Sequence, residues 1–175
     1  MKTMIKKMKT AGLGLAVVCA FISLSSARLV NAGTNFSGQW VLNTSKSDLG
    51  QFGARMSAPK MSVTADANGM TVEKTINGQN GEAKTTDKLT FDGKESSNPF
   101  FGTSTKVSTT KWSDDGKTLN VTWKASIDYN GTTTTLSGTE AWTLSADGAI
   151  LTIASTSVFG ANPAVATKLV YDKAK

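Results

Sequence analysis

From residue 61 onward, apolar and polar positions alternate with a period of two. Met61, Val63 and Ala65 alternate with Ser62, Thr64 and Asp66, and after Asn68-Gly69 the alternation resumes at Met70, Val72 and Ile76. Such a pattern describes a strand with one dry face and one wet face. Asn-Gly supplies the positive φ of a tight hairpin, so this stretch reads as strand, turn, strand. The same grammar recurs to the end of the chain. Asn77-Gly78, Asn80-Gly81, Asp92-Gly93, Asp115-Gly116, Asn130-Gly131 and Asp147-Gly148 punctuate runs at 82–91, 103–112, 119–128, 132–144, 150–159 and 165–172. Threonine is abundant in these runs, as suits the wet face of a pleated sheet, and no segment has helical periodicity of useful length. Connections this short make consecutive strands antiparallel neighbours. The expected fold is all-β: an antiparallel up-and-down β-barrel of about 8–10 strands, because closure removes exposed edges, with an open sandwich as the rival.

The apolar stripes are uneven. Leu119, Val121, Trp123, Ala125 and Ile127 form one; Leu136, Trp142 and Leu144, and Val165, Leu169 and Tyr171, form two more. These strands build core. By contrast 103–111 and 82–88 have little apolar content on either parity, which fits one wall of a wet cavity, a mobile portal or an exposed end of the sheet. Two charges interrupt the stripes: Lys74 shares parity with Val72 and Ile76, and Glu140 with Leu136 and Trp142. If alternation holds, both point inward, where an unpaired charge costs several kcal/mol. Each therefore either anchors the head group of an amphipathic ligand or lies at a wet end or beside a bulge that flips the register. The stretch 43–59 has no alternation. It is long for a loop, so it is expected to cover something or to contain a helical turn beginning near Ser45.

The N-terminus is of a different kind. Lys2, Lys6, Lys7 and Lys9 precede a run from Ala11 to Leu24 that is apolar apart from glycines and Ser23, the pattern of a secretory signal peptide. The expected division is a signal peptide at 1–32 and a single barrel domain at 33–175, with cleavage after Ala32 favoured over Ala27 and a lipid anchor at Cys19 as the lesser alternative. The leader holds five of the 19 basic residues and none of the 13 acids, so the remaining 14 basic residues leave a mature net charge of +1. No basic patch then argues for nucleic acid, and no second long apolar run argues for a membrane span. A secreted or periplasmic, monomeric protein is expected. Cys19 is the sole cysteine, so the mature chain has no disulfide.

Candidate chemistry is narrowed by absence. There is no histidine, which with the missing cysteine excludes histidine-activated nucleophiles and the usual zinc sites. No metal, cofactor or enzymatic activity is expected. Asp114-Asp115 sits in Ser113-Asp114-Asp115-Gly116-Lys117 and reads as a hairpin turn, because a glycosidase needs carboxyls facing each other across ~5–9 Å. Four tryptophans, Trp40, Trp112, Trp123 and Trp142, are core or an aromatic binding wall. In Asn98-Pro99-Phe100-Phe101-Gly102 the two phenylalanines cannot both point inward, so at least one guards a cavity mouth or meets a partner. Gly160-Ala161-Asn162-Pro163 is a second candidate rim loop.

The run at 36–42 is the first strand after the leader. In Gly38-x-Trp40, a glycine that permits close approach is followed by an aromatic on the same face, which suits a strand plugging the closed end of a barrel. Phe36-x-Gly38-x-Trp40-x-Leu42, the tight-turned meander and the length resemble the lipocalin and fatty-acid-binding-protein superfamily. The closer likeness, over 36–47, is to secreted bacterial lipocalin-like proteins. That resemblance implies structural roles for Gly38 and Trp40 at the barrel base beneath a basic side chain from the last strand, which Lys168 would supply. It also implies an interior site for a small hydrophobic or amphipathic molecule, with Lys74, Phe100, Phe101, Trp123, Glu140 and Trp142 as candidate ligand-binding residues. The alternative is a packed barrel that binds a protein partner or inhibits it through its loops.

Overall fold

The structure, a computed structural model, describes residues 33–51, 57–78, 81–129 and 131–175. The expected leader at 1–32, with Cys19 and both cleavage positions, lies outside the described residues, as do 52–56, Asn80 and Asn130. The strands belong to the unit Asn31–Lys175.

The alternating runs form ten strands: β1 (Gly38–Leu42), β2 (Lys60–Ala65), β3 (Gly69–Gly78), β4 (Gly81–Thr90), β5 (Ser96–Pro99), β6 (Thr105–Trp112), β7 (Thr118–Tyr129), β8 (Thr132–Leu144), β9 (Ile150–Phe159) and β10 (Val165–Lys173). They make one antiparallel sheet in the order β4-β3-β2-β1-β10-β9-β8-β7-β6-β5. The pairing of β1 with β10 joins the two ends of the chain, and the sheet curls into a nearly closed barrel. This is the all-β barrel the alternation predicts.

Residues 96–99, which lie outside the alternating runs and overlap the Asn98–Gly102 turn, form the short strand β5. A strand that contains Pro99 can serve only where no donor is needed on its free side, and β5 is the edge of the sheet. Across the seam, β4 and β5 share no ladder. Side chains do that work instead: the Asn98 amide donates to Lys88 O at 3.0 Å and accepts from Lys88 N at 2.7 Å, imitating a neighbouring peptide group. Ser96 Oγ accepts from Thr90 N at 3.2 Å, and the Thr110 hydroxyl donates to Thr90 O. Polar inward residues on these strands are therefore the means of closing the barrel.

One end of the barrel is packed solid. Trp40, Met61, Val72, Leu119, Trp142 and Leu151 meet there, and Phe36 is fully buried between them, stacked on Trp112 at 5.8 Å and edge-on to Trp142 at 6.0 Å. The Trp40 indole N–H donates to Phe36 O at 3.0 Å, which fixes the segment before β1 across the barrel base. Gly38 has φ of +154°, and a Cβ there would come within 3.0 Å of the Lys173 side chain. The cation above Trp40 is Lys173, whose Nζ lies 5.6 Å from the ring centroid. This corrects the expectation for Lys168, which is exposed and is tied by its backbone to Asp48 on the flank of the sheet. The reason is parity: Lys173 falls in step with Leu169 and Tyr171, and Lys168 does not.

The turns at the closed end follow the expected chemistry. Asp115 accepts from Ser113 Oγ at 2.6 Å and from Lys117 N at 3.1 Å, so the Asp114-Asp115 pair belongs to a hairpin. Beyond β1 the chain makes a single turn at 44–46 and then pairs Asp48 with Lys168 through two backbone bonds of 2.8 Å. Ser47 Oγ accepts from Val170 N at 2.9 Å. The segment is thereby held against β10, above the short β1 and β2.

Candidate functional site

Above the packed end the barrel encloses a cavity of about 390 Å³, within the range of small-molecule sites. Its mouth lies at the end that carries the β5–β6 and β9–β10 connections, with Phe100, Phe101, Phe159 and Val165 among the lining residues. The segment after β1 contributes Leu49, and the residues before β2 contribute Ser57 and Ala58. The described parts of the 43–59 stretch thus line part of the cavity.

Register explains which side chains reach the interior. On β8 the inward row is Leu136, Gly138, Glu140 and Trp142, paired respectively with Ala125, Trp123, Val121 and Leu119 of β7. On β3 the inward row is Met70, Val72 and Lys74, paired with Leu89, Asp87 and Thr85 of β4. On β6, Lys106 pairs with Ala125 and faces inward with it. Two lysines and two carboxylates from four strands therefore meet on one cavity wall.

Asp87 is the hub. Its Oδ2 accepts from Lys106 Nζ at 2.7 Å and from Lys74 Nζ at 3.2 Å. The seam lies between β4 and the β5–β6 pair, so the Lys106 bridge from β6 to β4 also staples it from within. Burial alone would push the Asp87 carboxyl up, but the two ammonium groups outweigh it and hold the carboxyl below its ordinary value. Burial likewise works against the Lys74 charge, yet Glu140 and Asp87 together raise its pKa. Glu140 acts on Lys74 through space without a direct ion pair, and its Oε2 accepts from the Trp142 indole N–H at 2.7 Å. Tyr171 closes the wall: its hydroxyl donates to Ala58 O at 3.2 Å, and burial pushes the phenol up to about 12, Lys74 opposing and Glu140 adding to the shift.

The apolar wall is equally definite. Phe100 and Phe101 sit edge-to-face at 4.6 Å, and Phe100 lies 6.1 Å from Trp123. Phe101 is half exposed at the rim. Trp123 can lie flat against β8 only because Gly138 is opposite it: a Cβ at Gly138 would fall 2.7 Å from the indole and 2.6 Å from Thr156 O.

No family model, no curated protein and no solved structure matches the chain. What the site can do is therefore argued from its own geometry.

Of the residues singled out from sequence, Lys74, Phe100, Phe101, Trp123 and Glu140 line this one cavity. Trp142 does not: it is buried in the packed end directly below and reaches the site only by anchoring Glu140. Asp87 and Lys106 were missed. The signal for Asp87 was its parity with Leu89; Lys106 had none, because its neighbours in the inward row, Ser108 and Thr110, are polar too. Among the described residues no cluster of carboxylates, histidines or cysteines could hold a metal, and no helix is long and apolar enough to cross a membrane.

Proposed function

We propose that this chain is a secreted or periplasmic binding protein of lipocalin-like type, which holds a small amphipathic molecule inside its barrel and performs no chemistry on it. The observation that carries the reading is the 390 Å³ cavity, apolar at its mouth and charged along one inner wall, above a packed base. A solid barrel would have favoured binding through the loops. The opening Phe36-Ser37-Gly38-Gln39-Trp40 motif and the leader-like N-terminus support the lipocalin-like and export parts of the reading.

The test is titration with the neutral probe N-phenylnaphthylamine. Saturable binding is expected for the native sequence, with a loss of roughly tenfold or more for Ser157→Trp, which fills the cavity from β9. Equal binding by both proteins, each folded by circular dichroism, would remove interior binding.

A further inference from the structure

We infer that the ligand carries a dipolar head group of zero net charge and enters head first. This deepens the interior-binding reading and rests on it. The cavity wall holds two cations and two anions: Lys74, Lys106, Asp87 and Glu140. All four lie on inward positions of different strands, and the set is balanced. A net-charged head group placed among them would have no counterion in the wall that is not already matched. Removing such a group from water is then uncompensated.

A dipolar head meets no such penalty. Its negative end finds the ammonium groups, since Lys74 and Lys106 each give one N–H to Asp87 and keep further donors. Its positive end finds Glu140, of which only Oε2 is engaged, by Trp142. The cations stand on β3 and β6 and the carboxylate on β8, so the wall presents opposite signs to the two ends of one small group. Orientation follows from the apolar parts. Phe100, Phe101, Phe159 and Val165 surround the mouth; Lys106 reaches inward from beside Phe100, its Nζ 6.0 Å from the ring centroid, to bond Asp87, and Glu140 stands further along β8, opposite Ser155 rather than Phe159. A tail leaving the mouth stays against apolar rings, whereas a head left at the mouth would strand the tail beside the ion cluster.

The experiment uses three probes with one tail: decanoate, decyltrimethylammonium and decyldimethylamine oxide, whose head is dipolar and neutral. Affinities are measured by calorimetry on the protein as it is secreted or expressed in full, and compared between variants as ratios, so that differences in intrinsic hydrophobicity cancel. For the native sequence the amine oxide is expected to bind tightest. Glu140→Gln leaves the wall with an excess cation, and should raise decanoate relative to amine oxide about tenfold; Lys74→Met leaves an excess anion, and should do the same for decyltrimethylammonium. Ratios that do not move in either variant would overturn the charge-balanced site while leaving interior binding intact. Decanoate binding tightest to the native protein would also overturn it. Failure of all three probes to bind would overturn this inference and the interior-binding reading together.

Discussion

Asp87→Ala is expected to destabilise the barrel by about 3–5 kcal/mol, measured by urea denaturation followed through tryptophan fluorescence. Asp87 is only 8% exposed and is the shared partner of two lysines. Its removal leaves Lys106, itself 9% exposed, with no carboxylate bonded to it, and takes away the ion pair that reaches across the seam from β6 to β4. The penalty is mostly the uncompensated charge. Changing all four charges, Asp87→Leu, Lys74→Met, Lys106→Met and Glu140→Gln, should therefore recover most of the loss, since replacing a whole buried ion cluster by uncharged side chains is often close to neutral. A quadruple variant as unstable as the single one would show that the charges, rather than their balance, hold the wall.

The same residue gives a pH dependence whose sign is fixed. The Asp87 carboxyl is held below its ordinary value of 3.8, so its stabilisation is present above that value and is lost as pH falls through the lowered one. Native protein should lose stability in that acid window more steeply than Asp87→Ala does.

Trp142→Ala is the second large effect, also about 3–5 kcal/mol. Trp142 is 1% exposed and packs edge-on against Phe36, which makes it part of the packed base, and deletion opens a hole there that the rigid ladders on both sides cannot close. Trp142→Phe separates packing from hydrogen bonding. It keeps most of the volume but releases Glu140 Oε2, so its cost should be nearer 1–2 kcal/mol. The cavity consequence differs as well: Glu140, freed from its anchor, no longer holds a fixed position on the wall.

The barrel itself was legible because its strands obey one rule, apolar positions spaced by two and separated by Asn-Gly or Asp-Gly. Lys74 and Glu140 stood out for the same reason: each is a charge in a stripe that predicts an apolar residue. The rule fails where the stripe is missing. On β5 and β6 the inward positions include Ser96, Asn98, Ser108 and Thr110, all buried, so a further polar residue such as Lys106 breaks no pattern. Ser96, Asn98 and Thr110 are polar because they close the seam through bonds to the β4 backbone. A partnership across a seam has no local signature, since it joins residues that no ladder pairs. β5 was hidden by Pro99 and by its four-residue length. Lys168 was favoured as the base cation for its place near the start of the last strand, whereas parity with Tyr171 points to Lys173.

The most direct test of the interior-binding account is native mass spectrometry of the mature protein purified gently from its own source, with extraction and identification of what is released. The account predicts one small amphipathic molecule per chain, of zero net charge and defined mass, lost when the barrel unfolds. A clean apo mass, together with no saturable uptake of N-phenylnaphthylamine, would contradict it and turn attention to the exposed Phe101 rim as a surface for a protein partner.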